Sequence, residues 1–236
     1  ADYDDLPVEG TRLQHSTSKE LAYLQYTSGS TRFPRGVMIT QENVMNNLSL
    51  MIRDGLKIRR GDRGMSWLPF YHDMGLVGFV LGALAAQMSV DYLSPMDFVM
   101  RPRLWLTLMS QNKATISFSP PVGYELTLNR IKKEHIEALD LSSWRVAGVG
   151  AEPIKAQPLQ RFAEVFEPCG FNQKAFMAGY GMAETSLAVS FSPLGHGLSQ
   201  DYIDPEYLAE FQVAIPLDVE MQDRAAKAKA FVNCGE

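Results

Sequence analysis

The chain has 236 residues, 46% hydrophobic, 21% charged and 10% aromatic, a mixture that can bury a sizeable core and excludes disordered, collagen-like and low-complexity classes. Its 22 Lys and Arg against 27 Asp and Glu leave a net charge of −5 with the signs interspersed, so there is no broad basic surface for nucleic acid. Cys169 and Cys234 lack the spacing of a zinc site or a disulfide framework and are expected as reduced thiols of a cytoplasmic protein.

Residues 1–20 form an acidic leader, without the basic and apolar start of a cleavable signal. Leu21–Tyr26 reads as a strand, Thr27–Gly36 as a Ser/Thr/Gly/Pro loop and Val37–Ile39 as a return strand. Thr40 is placed to cap a helix whose apolar positions are Val44, Leu48, Met51 and Ile52, with Gly55 as its stop. Gly64–Leu68 predicts a strand, Pro69–Asp73 a loop, and a helix then runs to about Ala86. Met74–Ala86, the longest apolar run without charge, is shorter than the roughly 20 residues of a membrane span. Gly75, Gly78 and Gly82 leave one flank of it smooth, which serves either tight helix–sheet packing or space for a long ligand chain.

Further along, Ser89–Leu93, Ala114–Phe118, Trp144–Val149 and Ala175–Ala178 predict strands, with Ser186–Phe191 as another candidate. Arg101–Asn112 predicts a helix with Leu104, Trp105, Leu108 and Met109 on one face. Tyr124, Leu128 and Ile131 mark a second helix, and Leu159, Phe162 and Phe166 a third that ends near Gly170. From Pro193 the texture turns to Gly, Pro and acidic residues, then to Arg224–Ala230, expected as an exposed helix before a new strand begins. This alternation predicts an α/β fold with a doubly wound, mostly parallel sheet.

Ligands of such sheets bind beyond the carboxyl ends of the strands. Four unusual segments fall there: Pro69–Asp73, Ser119–Pro121, Gly150–Pro153 and Gly179–Thr185. Together they favour one composite site over unrelated turns. The loop Thr27–Gly36 adds hydroxyls, glycine and two arginines, a donor-rich composition that suits polyphosphate or is simply a loop. It is not a Walker A loop, the GxG pairs at Gly148 and Gly179 lack the later glycine of a dinucleotide fingerprint, and no GxSxG elbow occurs. Of the histidines, His15, His135 and His196 sit in polar contexts, whereas His72 follows a strand among aromatic residues.

Read together, Tyr26–Gly36 and Tyr180–Glu184 resemble the phosphate-loop and nucleotide motifs of the adenylate-forming superfamily of acyl-CoA synthetases, luciferases and adenylation domains. Leu24–Arg32, Trp67–Leu76, Gly150–Pro153 and Asp140–Trp144 resemble its fatty acyl-AMP ligase branch. The resemblance covers residues 21–192 and implies an ATP- and acyl-binding core. It implies that Thr27, Ser28, Gly29, Ser30 and Thr31 hold the terminal phosphates of ATP, with Arg35 in place of the usual lysine. Gly150, Ala151, Glu152, Tyr180, Gly181, Met182 and Ala183 would frame the adenine. Glu184 would bind Mg²⁺, and His72 would lie near the reacting carboxylate. Phe70, Met74, Gly75, Gly78, Ser119 and Tyr124 would border the acyl channel, although apolar residues serve equally as core.

The implied reaction joins a fatty acid to AMP with release of pyrophosphate, for transfer to an acyl carrier protein. An acyl-CoA synthetase is the alternative within enzymes. The superfamily's later ribose-binding Asp and lid domain do not occur in these 236 residues. The chain is therefore expected to be an interior piece of a longer enzyme, inactive alone, or else a non-catalytic binding module.

Overall fold

The computed structural model describes residues 15–27, 34–217 and 228–235. Short runs rich in apolar residues pair there into three sheets. The first is an antiparallel ribbon of β1 (Leu21–Tyr26) and β2 (Gly36–Thr40). Thr40 ends it and caps α1 (Gln41–Leu50), its hydroxyl accepting from the Asn43 N–H while the Asn43 side chain accepts from the Thr40 N–H. This reciprocal pair satisfies helix-start donors that have no partner in the helix itself. The helix continues through Met51–Gly55 with wider, π-type turns.

The central sheet has six strands in the order β4-β3-β5-β6-β7-β8. These are β3 (Arg63–Ser66), β4 (Ser89–Tyr92), β5 (Ile116–Ser119), β6 (Val146–Val149), β7 (Phe176–Gly181) and β8 (Ala188–Phe191). All pair in parallel except β7 with β8. The chain leaves β3 for β4 on one side and returns to β5 on the other, so the switch point lies between β3 and β5. The helix predicted up to Ala86 is present, with π-type turns over Met74–Leu81 and an α-helical end, α2 (Gly82–Ala86). α3 (Pro95–Met100), which sequence reasoning did not include, is followed by the predicted Arg101–Asn112 helix, present as α4 (Arg103–Gln111) with Pro102 at its start, where a missing N–H costs no helical hydrogen bond. Then come α5 (Pro121–Arg130), α6 (Lys133–Ile136) and α7 (Ala156–Phe166).

Side chains alternate across a strand, and β5 uses the alternation to separate two different layers. Ser117 accepts a hydrogen bond from the Trp105 indole at 2.9 Å, and Ser119 sits under Gly123 at the start of α5. That layer is aromatic: Tyr124 lies with ring centroids 5.1 Å from Trp105 and 5.1 Å from Phe162, and Trp144 lies 5.3 Å from Trp105. On the other face Phe118 meets Phe79 at 6.3 Å and Phe191 at 6.1 Å. Gly148 on β6 has no side chain because any Cβ would collide with the Phe118 ring. Ile39, Val44, Leu48 and Val77 fasten the β1–β2 ribbon and α1 to the Met74–Leu81 helix on this second face.

The amino ends of the strands are tied by charge. Asp62, just before β3, accepts from the Arg145 Nε at 2.8 Å and from its terminal nitrogen. It also accepts from the Thr115 hydroxyl and the Arg59 N–H, each at 2.9 Å. Its side chain is 2% exposed. Burial pushes the Asp62 carboxyl up, but Arg145, Arg59 and Thr115 outweigh it and hold the group below the usual carboxylate range.

The sequence after Pro193 packs back on the core: Leu194, Leu198 and Val232 touch it. β9 (Gln200–Ile203) precedes α8 (Pro205–Phe211) and pairs antiparallel with β10 (Lys229–Val232). The expected helix over Arg224–Ala230 is corrected at its end, because Lys229 and Ala230 are strand residues bonded to Ile203 and Tyr202. Its first part lies outside the described residues. Among the described residues no helix is long and apolar enough to cross a membrane.

Candidate functional site

A cavity of about 720 Å³ opens at the carboxyl edge of the sheet and runs along its second face toward the amino edge. Its mouth is polar, with Thr27, Arg35, His72, Tyr180 and Glu184 around it. Its inner part is apolar, lined by Phe79, Met88, Ile116 and Phe118, with Leu56 and Ile58 in the wall where the chain approaches the amino end of β3. Ile116 pairs with Val146, four residues before Gly150 at the mouth, so the cavity follows about 13 Å of strand at roughly 3.3 Å per residue.

Each wall has a local cause. The β1–β2 ribbon brings Thr27 and Arg35 face to face: the Thr27 N–H donates to the Arg35 carbonyl at 2.9 Å, and the Arg35 N–H to the Thr27 hydroxyl at 3.3 Å. Ser28, Gly29, Ser30 and Thr31 lie outside the described residues. Tyr180 is 53% exposed, and β7 extends through it to Gly181, so these residues are strand rather than loop. The chain then folds back tightly, with the Met182 N–H donating to the Leu187 carbonyl at 2.9 Å, and this turn presents Glu184 at the rim. Gly181 is glycine of necessity, since a Cβ would strike the Leu187 carbonyl.

Two residues beside the mouth hold left-handed backbone without being glycine: Ala151 at φ +67° and Ser186 at φ +73°. Ser186 is buried with its hydroxyl unpartnered. Such conformations cost free energy and cluster at ligand sites.

His72 leads into the Met74–Leu81 helix. Its Nδ1 lies 2.8 Å from Asp73 Oδ1, and the same oxygen accepts the Met74 N–H at 2.6 Å. Asp73 therefore caps the helix and orients the imidazole together. The hydrogen bond to Asp73 raises the His72 pKa, burial opposes it, and the Asp73 charge adds to the rise. On β1, Tyr23 has a buried, unpartnered hydroxyl pushed up to about 12, first by burial and then by the Asp73 charge.

Of the expected site residues, the fold brings Thr27, Arg35, His72, Met74, Gly78, Gly150, Ala151, Tyr180, Gly181, Met182, Ala183 and Glu184 around this one cavity. Five others stand elsewhere. Ser119 and Tyr124 face the opposite side of the sheet. Tyr124 is fully buried there and donates to the Gly148 carbonyl at 2.9 Å. Gly75 is a packing glycine, its missing Cβ making room for the Pro69 carbonyl. Phe70 is 53% exposed and lies edge-on to Tyr92. Glu152 is exposed and outside the lining. Sequence reasoning missed Ile116, Phe118, Leu56 and Ile58. The alternation Ile116-Ser117-Phe118-Ser119 carried the signal for the first two.

Magnesium fits the donor chemistry at Glu184. Its carboxylate is a hard oxygen donor at the mouth, and among the described residues no group of three or more His, Cys, Asp or Glu could hold a metal. One carboxylate completed by phosphate oxygens and water is the common magnesium arrangement.

A family model described as AMP-binding enzyme matches residues 3–212. The chain is 46% identical, over 98% of its length, to a Caulobacter vibrioides protein provisionally named as an acyl-CoA synthetase, and covers 40% of that protein. It is 42% identical, over 72% of its length, to a medium-chain-fatty-acid–acyl-carrier-protein ligase of Teredinibacter turnerae, covering 26% of it. A solved structure from work on fatty acyl-adenylate ligases of E. coli and L. pneumophila superposes with a TM-score of 0.90 at 51% identity. That match covers 99% of this chain and 42% of the other. The chain thus spans less than half the length of each of these proteins.

Proposed function

The chain belongs to the AMP-binding enzyme family, and from that membership we propose that it is the nucleotide- and acyl-binding part of a fatty acyl-AMP ligase. The observation that carries this reading is the continuity of one cavity from a polar mouth to an apolar interior. Such a space matches a molecule with a nucleotide at one end and an alkyl chain at the other.

In the proposed reaction a fatty-acid carboxylate oxygen attacks the α-phosphorus of ATP. The new P–O bond gives the acyl-adenylate, and the bond to the β-phosphate oxygen breaks with pyrophosphate leaving. No protein nucleophile is required; positioning and neutralisation of charge lower the barrier. Thr27, Arg35 and the loop residues Ser28–Thr31 are assigned to the terminal phosphates. Tyr180 is assigned to stack on the adenine, flanked by Gly150, Ala151 and Met182. His72, whose pKa the hydrogen bond to Asp73 raises, is assigned to the developing charge between carboxylate and α-phosphate. Glu184 would hold Mg²⁺, which supplies charge neutralisation at the phosphates when bound. The alkyl chain is assigned to the face formed by Gly78, Phe79, Ile116 and Phe118.

The acceptor proposed for the acyl group is an acyl carrier protein, as in the name of the Teredinibacter relative. The name of the Caulobacter relative favours coenzyme A as a second reading. A cytoplasmic setting accords with the free Cys169 and Cys234.

The test is ATP–pyrophosphate exchange by the full-length protein across a fatty-acid series, followed by acceptor assays. Fatty-acid-dependent exchange with transfer to carrier protein is the expected outcome, and rapid acyl-CoA formation would replace the ligase reading by the synthetase one. Glu184→Gln is expected to lower exchange at least about tenfold, the scale on which charge stabilisation at phosphate acts. Unchanged magnesium-dependent exchange would remove Glu184 from the site.

A further inference from the structure

The wall of the cavity near the amino edge includes a segment under unusual constraint. Leu56 and Ile58 both face the cavity, on either side of Lys57. Lys57 holds φ +47°, the left-handed region that favours glycine. A residue with a Cβ stays there only when its surroundings over-determine it. Here they do. The Leu56 N–H donates to the Met51 carbonyl and the Ile58 N–H to the Ile52 carbonyl, each at 2.8 Å. From the other side Arg145 donates to the Leu56 carbonyl at 3.0 Å and to the Lys57 carbonyl at 3.3 Å. The same guanidinium is held by Asp62, which Thr115 and the Arg59 N–H fix in turn.

Arg145 does not itself line the cavity, yet through the Leu56 carbonyl it joins the strand ends to the cavity wall. We propose that Arg145, oriented by Asp62, is a positioning residue that holds Leu56 and Ile58 in place and thereby sets the longest alkyl chain the cavity accepts. Only a planar fork reaches two carbonyls and a carboxylate together; a lysine at this position keeps the charge opposite Asp62 but not the fork. The inference rests on the acyl reading of the cavity given above.

The experiment measures affinity of the full-length protein for saturated fatty acids from hexanoic to octadecanoic by calorimetry. Each added methylene buried in the channel should raise affinity about fourfold until this wall is reached, where the gain stops. In Leu56→Ala, which lowers the wall directly, the break is expected to move outward by about two methylenes, about sixteenfold in affinity at that length. Arg145→Lys should move the break in the same direction while thermal melting remains cooperative. Should Arg145→Lys fail to fold, the pair Asp62→Leu with Arg145→Met leaves no buried charge unpaired and replaces it. A break that moves in Leu56→Ala but stays in a folded Arg145 variant overturns the positioning role. A wild-type protein that shows no break, or fatty-acid binding indifferent to Gly78→Leu in the channel wall, overturns the acyl reading itself.

Discussion

His72 and Asp73 show how one carboxylate oxygen sets both an orientation and a charge. Asp73 Oδ1 takes the Met74 N–H that begins the helix and faces Nδ1 of His72, so the imidazole stays charged to higher pH than an ordinary histidine near 6.5. A raised pKa stabilises the folded protein below the ordinary value, and that contribution is lost as pH rises through the folded one. By NMR titration the His72 midpoint should lie above 6.5, the ordinary value, and fall in Asp73→Asn. An unmoved midpoint in that variant would sink the pairing as its cause. The type and place of His72 were readable in the sequence, because it follows a strand at the ligand edge. Its partner was not, since adjacent residues in a loop meet only when the backbone turns as it does here.

The Met74–Leu81 helix distinguishes glycines that a sequence leaves alike. Gly75 packs against the Pro69 carbonyl, whereas a Cβ on Gly78 would meet only Leu187 at an ordinary 3.5 Å. Gly75→Ala is therefore expected to cost about 1–3 kcal/mol in urea unfolding, as overpacking does. Gly78→Leu should leave the melting temperature within a few degrees and abolish binding of long fatty acids. Equal destabilisation by both changes would contradict this division. The same limit explains Ser119 and Tyr124. Motif order places residues along a strand, but the face each occupies depends on strand phase, and Ser119 belongs to the phase opposite Phe118. The helix Pro95–Met100 escaped the sequence reading because six residues are too few to show a period, and Lys229 joined a strand because a partner, Ile203, lay far away in sequence.

Across the whole molecule the two edges of the sheet have separate tasks. The carboxyl edge gathers the mouth of the cavity, and the amino edge is bound by Asp62, Thr115 and Arg145. The strand-and-helix alternation and the gathering of the unusual segments at the carboxyl edge followed from the sequence, since both depend on local pattern. The amino-edge cluster did not, because its charges come from segments more than 50 residues apart. Asp62→Asn in the full-length protein should cost about 3–5 kcal/mol at pH 7, the scale of a broken buried pair. The Asp62 carboxyl is depressed, so its stabilisation is present above about 3.9 and lost as pH falls through its lower folded value. The wild-type advantage over Asp62→Asn in denaturant melts should then shrink on acidification below that range, and a constant difference would refute the assignment.

Asn47 of α1 reaches the margin of the sheet, its amide donating to the Ala188 carbonyl at 2.8 Å and accepting the Ala188 N–H at 3.1 Å. Among the described residues β8 is one of the two edge strands of the central sheet, the other being β4, and a bare strand margin invites pairing with another molecule. By occupying both backbone groups of Ala188, a single side chain imitates one residue of a missing neighbour strand. At Ala188 the margin of β8 therefore offers no free backbone N–H or carbonyl to an added strand.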